Sequence, residues 1–136
     1  MDLHDVKYRT IQDFCKRRGE LSVTYPSLQE LGLLHSSICR ALADPKRIQI
    51  LYALHAKPRH VTALAQDLNL PQPTVSRHLR ILRQKALVSS ERCGASVVYE
   101  VVDPGIITVL DMMRQVMFDS IVRQSGLVGQ LGANKI

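Results

Sequence analysis

Three observations predict a mainly α-helical fold with one small β-hairpin. Apolar residues between Leu28 and Leu82 recur at steps of three and four, the period of helices packed on one side. Asp44-Pro45 and Asp103-Pro104 each pair a capping residue with a proline suited to the first helical position. Leu87-Val88 and Val97 to Val102 are rich in β-formers and flank Cys93-Gly94-Ala95-Ser96, a turn with glycine at its tip. At 136 residues and 46% hydrophobic content, the chain can bury one modest core.

In chain order, residues 3–18 are predicted to form a helix, with Leu3, Val6, Ile11, Phe14 and Cys15 roughly on one side and Gly19 as its stop. Residues 1–27 are an N-terminal extension, and Ser27 is the expected N-cap of the next helix. Leu28, Leu31, Leu34, Ile38 and Leu42 then trace a stripe expected to be buried. The helix opened by Asp44 turns Ile48, Leu51, Tyr52 and His55 inward and ends before Pro58.

Val61 to Leu68 is a short helix broken by Asn69 and Pro71. The next helix buries Val75, Leu79 and Leu82. At about 100° per residue its opposite side carries Arg77, Arg80 and Gln84, flanked by Thr74 and Ser76. Two helices joined by a tight turn, the second basic, followed by a hairpin, make a winged helix-turn-helix.

After the hairpin, residues 105–124 hold more apolar side chains than one stripe needs, among them Val109, Met112, Met113, Val116 and Met117. The excess predicts a second buried face shared with another copy of the chain. The expected molecule is therefore homodimeric through its N- and C-terminal helices. Residues 28–124 form the DNA-binding and dimerisation domain, and residues 125–136 a flexible tail.

Charge points to the partner. The net charge is +6, yet residues 57–92 alone hold seven cations against Asp67 and Glu91. Clustered Lys and Arg gain affinity for a duplex by releasing its counterions. The expected partner is double-stranded DNA carrying an imperfect palindrome. Thr74, Ser76, Arg77, His78 and Arg80 are candidates on the second helix, and Arg92 is a candidate phosphate contact on the wing.

A winged helix used for protein–protein contact is the alternative. An enzyme is not expected, since the chain has no Gly-rich phosphate loop, no H-E-x-x-H and no G-x-S-x-G. No apolar run approaches the ~20 residues of a membrane span. The charged N-terminus MDLHDVKYR is unlike a signal peptide, and three cysteines without framework spacing fit a reducing cytoplasm.

LADPKRIQIL at Leu42 to Leu51, followed by LPQPTVSRHLRILRQKALV at Leu70 to Val88, resembles the ArsR/SmtB family of bacterial winged-helix repressors, over roughly residues 30–120. The resemblance implies a dimer on operator DNA, with Gln72, Thr74, Ser76, Arg77 and His78 at the reading positions. It also implies release when a metal ion, an oxidant or a reactive sulfur species meets cysteines or other ligands. Two departures matter. A Cys-Val-Cys sensor box is replaced here by His60, Val61 and Thr62. No histidine follows His78, so a zinc site of Asp and His on the last helix is absent.

Cys15, Cys39 and Cys93 remain as candidate sensors, with separations that match no zinc-knuckle or C-x-x-C spacing. His35 lies four residues before Cys39, so the two share a helix face and can offer two ligands to arsenite or another soft metal. Cys15 or Cys93 would supply a third. A thiol switch is the second reading, since Lys16, Arg17 and Arg18 favour the Cys15 thiolate. In the third, Cys39 is a small buried hydrophobe, Cys15 an incidental thiol and Cys93 a turn residue.

Overall fold

The computed structural model describes residues 24–132, with side chains described to residue 126. The expected helix over residues 3–18, with Cys15, lies outside the described residues. Helix α1, Leu28–Leu34, starts where Ser27 accepts the Glu30 N–H on its hydroxyl at 3.1 Å. It runs on through one wider π turn, His35–Cys39, closed by the Arg40 N–H on the His35 carbonyl. Helix α2, Pro45–Ala56, is capped by the Asp44 carboxylate on the Lys46 N–H at 2.8 Å, with Pro45 in the first turn where no N–H is needed.

Strand β1, Arg59–His60, leads into α3, Val61–Leu68, and then α4, Gln72–Gln84. The hairpin is β2, Val88–Cys93, and β3, Ser96–Val101. Gly94, at φ +64°, takes the first turn position, where a side chain would be strained. The sheet order is β1-β3-β2, all antiparallel. Two residues are too few to show a period, so β1 left no signal in the sequence.

Helix α5, Gly105–Gly132, begins where the Asp103 carboxylate accepts the Gly105 N–H at 2.8 Å. It extends into the expected tail: residues 125–132 are helical. They contain no proline, and glycine weakens a helix by only about 1 kcal/mol per residue. No described helix is long and apolar enough to cross a membrane.

One core joins all five helices and the sheet. Ile50, Leu51 and Leu54 of α2 meet Leu64 of α3, Val75, Leu79 and Leu82 of α4, and Val88 of β2. Ile106, Ile107 and Leu110 anchor only the first turns of α5. Ile48 and Tyr52 are half-buried as expected, but His55 is exposed. The Leu28–Leu42 stripe is buried less than its period suggests. Ile38 and Leu42 pack on the core, whereas Leu28 is 87% exposed and Leu31 and Leu34 are also open.

Helices α3 and α4 both end in a left-handed residue. At Asn69, φ 52°, the Leu70 N–H reaches back to the Ala65 carbonyl at 3.0 Å, the Schellman closure that asparagine suits. The same closure at α4 falls on Ala86, φ 57°, with Leu87 N–H on Leu82 O at 3.0 Å. A Cβ at this angle costs about 1–2 kcal/mol, so Ala86→Gly is expected to stabilise the fold by about 1 kcal/mol after its larger unfolded-state entropy. A denaturant midpoint that falls in this variant would show that the strain is not there.

Candidate nucleic-acid interface

The turn before α4 prepares the helix end. Pro71 is its N-cap without a side-chain bond, and Pro73 has no N–H. Thr74 and Val75 both donate to the Pro71 carbonyl, at 3.0 and 3.1 Å. Among the described residues, Gln72 keeps the one unpaired N–H of this first turn, at the positive end of the helix.

Around the helix, Val75, His78, Leu79 and Leu82 are buried, and Gln72, Ser76, Arg77, Arg80, Arg83 and Gln84 are exposed. Thr74 is half-buried. The outer face therefore carries the residue types that pair with base edges and phosphates.

His78 is a correction. It is 4% exposed and turned into the domain, so it is not on the outer face. Its position three residues after Val75 and four before Leu82 places it on the apolar stripe. Arg47 of α2 fills the space beside it. The Arg47 Nε donates to the Ala41 carbonyl at 2.6 Å, one terminal nitrogen to the Arg40 carbonyl at 3.1 Å, and the other to His78 Nδ1 at 3.5 Å. Arg47 thus ties the α1–α2 corner to the buried side of α4, a role that nothing in its sequence position announced.

Burial above all, and then the charges of Arg47, Arg77 and Lys46, hold the His78 pKa below its ordinary 6.5, against the opposing pull of Asp44. The folded pKa is thus lower than the unfolded one. Stability from the neutral imidazole is complete above about pH 6.5 and is lost as the pH falls from there through the folded pKa. The melting temperature should accordingly drop between pH 7.5 and 5.5, and His78→Leu should flatten that slope. A wild type equally stable at both values would contradict the neutral buried state.

The wing sorts its charges by face. Cross-strand neighbours share a face, and the register pairs Val88 with Val101, Ser90 with Tyr99, and Arg92 with Val97. Val88 is buried, so this is the face turned towards α4. Arg92 lies on it near the tip, while Glu91 and Glu100 take the opposite face. Arg59, on the same face as Tyr99, is paired with Asp67.

The candidate sensors are scattered. His35 and Cys39 are both exposed on the π turn; Cys93 is exposed at the wing tip, with Glu91 on the face away from α4. Cys15 lies outside the described residues. Among the described residues no three His, Cys, Asp or Glu side chains are grouped to hold a metal ion. His60, at the place of the missing thiol box, is instead 3.4 Å from the Val97 carbonyl through Nδ1. The described donors therefore do not fit a metal site.

A polar latch that the sequence did not suggest joins α2 to α5. The Tyr52 hydroxyl donates to Asp111 at 2.6 Å, Arg114 donates to the same oxygen at 3.2 Å, and its guanidinium sits 5.4 Å from the Tyr52 ring centre. The Tyr52 hydroxyl holds the Asp111 carboxyl below its ordinary range.

Comparison with known proteins agrees with this geometry. A family model described as bacterial regulatory protein, arsR family, matches residues 44–90. The HTH-type transcriptional regulator NmtR of Mycobacterium tuberculosis is 41% identical over 76 residues, 56% of this chain and 63% of the relative. The chain spans less than two thirds of the length of that first relative. The transcriptional repressor PagR of Bacillus anthracis is 30% identical over 95 residues, 69% of this chain and 91% of PagR. The crystal structure of NolR from Sinorhizobium fredii superposes with a TM-score of 0.60 at 28% identity, covering 71% of this chain and 96% of that one. With the helix-turn-helix matched by the family model and a repressor covered almost end to end, the chain belongs to the arsR family of bacterial regulatory proteins.

Proposed function

We propose that the chain is a transcriptional repressor that binds operator DNA as a homodimer, with the outer face of α4 in the major groove and the wing on the flanking backbone. The observation that carries this reading is the segregation of charge. Arg77 and Arg80 on α4 and Arg92 on the wing are exposed, while Glu91 and Glu100 face away from α4. The contacts divide by type. Gln72 and Arg77 suit base edges, through bidentate pairing with adenine and guanine; Thr74, Ser76, Arg80 and Arg92 suit phosphates.

The second copy is argued from α5. Val109, Met112, Met113, Val116 and Met117, with Ser120, line a shallow depression of about 630 Å³. These apolar residues are 47–65% exposed in the single chain. Leu28, Leu31 and Leu34 of α1 are open as well. A contiguous apolar surface of this kind marks an interface, and a two-fold axis lets the same patch cover itself.

DNA release is assigned to a thiol-directed signal at Cys39. It is exposed, and the carbonyls of its neighbours Arg40 and Ala41 are those held by Arg47, which also reaches His78 on α4. An oxidant or a reactive sulfur species needs only this one exposed thiol. A persulfide, for example, hands its outer sulfur to the Cys39 thiolate and leaves as a thiol.

Anisotropy of a labelled duplex, read against rising salt and with a persulfide, tests both parts. Steep loss of affinity with salt is expected. Affinity indifferent to salt would favour a protein-interaction module. Release that persists in Cys39→Ser but is lost in Cys15→Ser would move the sensor to the N-terminal extension.

A further inference from the structure

Between α4 and the wing lies a groove of about 520 Å³ lined by Ser76, Arg80, Arg83, Gln84 and Tyr99. We propose that this groove seats one backbone phosphate of the bound duplex, with Arg83, Gln84 and Tyr99 joining the interface. The inference rests on the DNA-binding reading and extends it to residues that the base-reading face does not include.

Three features select a phosphodiester. Every polar group on the lining can donate a hydrogen bond: two guanidiniums, two hydroxyls and an amide. Neither Arg80 nor Arg83 is paired with a carboxylate among the described residues, although Arg47, Arg59 and Arg114 all are. The wing turns its acids Glu91 and Glu100 to the other face, so no negative charge on the hairpin opposes an anion here.

Position then separates phosphate from base. Recognition helices read base edges with their N-terminal residues, here Gln72 to Arg77. The groove lies along residues 76–84, the later part of α4, and its other wall is the hairpin. A cleft between a helix and a hairpin accepts a ridge, and the ridge of a duplex is its phosphate backbone. Guanidinium forks match phosphate oxygens with two parallel bonds. The Tyr99 ring is half-buried against the core and paired across the sheet with Ser90 and Arg59, so the fold fixes one wall of the seat.

The test is Arg83→Gln, with Tyr99→Phe as a second variant that keeps the packed ring. Duplex affinity is read against salt for a bound sequence and for random DNA. A methylphosphonate scan then neutralises the phosphates of the bound sequence one at a time. Arg83→Gln is expected to weaken both duplexes alike. The affinity lost between about 50 and about 200 mM salt should shrink by about 3.5-fold, the share of one phosphate at a slope of about 0.9. At one position in each half-site, the methylphosphonate should cost the wild type more affinity than it costs Arg83→Gln, which keeps Arg80 in the seat.

An unchanged salt slope in Arg83→Gln, or scan losses identical to the wild type at every position, overturns the seat alone. Release of wild-type protein by millimolar pyrophosphate at constant ionic strength, absent in Arg83→Gln while its salt slope is unchanged, overturns it in favour of a free-phosphate pocket. Absence of any salt-dependent duplex binding by the wild type overturns the DNA-binding reading and the seat together.

Discussion

Met113→Glu is expected to split the dimer and to lower operator affinity by at least about 100-fold. Met113 is 56% exposed in the single chain, so a carboxylate there costs the isolated fold little. Between two copies of α5 the same carboxylate would be stripped of water among Val109, Met112, Val116 and Met117, with no cation in that depression to pair it. Two half-sites held by one rigid body gain about 10²–10⁴ in avidity, and separated monomers forfeit that gain. Sedimentation and duplex titration check the two effects. A variant that still sediments as a dimer would move the interface away from this face of α5.

Arg77→Ala is the second large effect. The side chain is exposed on the outer face of α4, in the N-terminal half of the helix. A bidentate contact to guanine contributes about 1–3 kcal/mol of discrimination, so operator affinity should fall about 5- to 150-fold with much smaller loss on random DNA. Arg92→Ala, on the wing, should weaken both duplexes alike and reduce the salt slope by about one. Equal losses on operator and random DNA for Arg77→Ala would assign it to phosphate.

The caps were legible in the sequence because they are local chemistry. Ser27, Asp44 and Asp103 each accept a backbone N–H within three residues, as their types and neighbours predict. The stripe of Val75, Leu79 and Leu82 was legible for the same reason. His78 reads as a DNA contact by its polar type, yet its place on that stripe buries it, and Arg47 comes from another helix to meet it. The Leu28–Leu34 face reads as buried by period, and the described residues leave it open. Periodicity reports that a face seeks cover and is silent on what supplies it.

The candidate site divides in the same way. The exposed face of α4 follows from helical geometry alone. The company of Arg83 and Tyr99 depends on how the hairpin folds back over α4, which no single segment encodes. Sensing was the least legible, since Cys39 and Cys93 are far apart in sequence and on different elements.

Selection of bound sequences from a random duplex pool by the wild-type protein tests most directly whether a dimer reads DNA with α4. The expected result is an imperfect inverted repeat whose half-site centres lie about 10–10.5 bp apart, or a multiple of that, with affinity falling steeply as salt rises. A pool that yields no preferred sequence, or a single unrepeated site bound equally well at high salt, would contradict it.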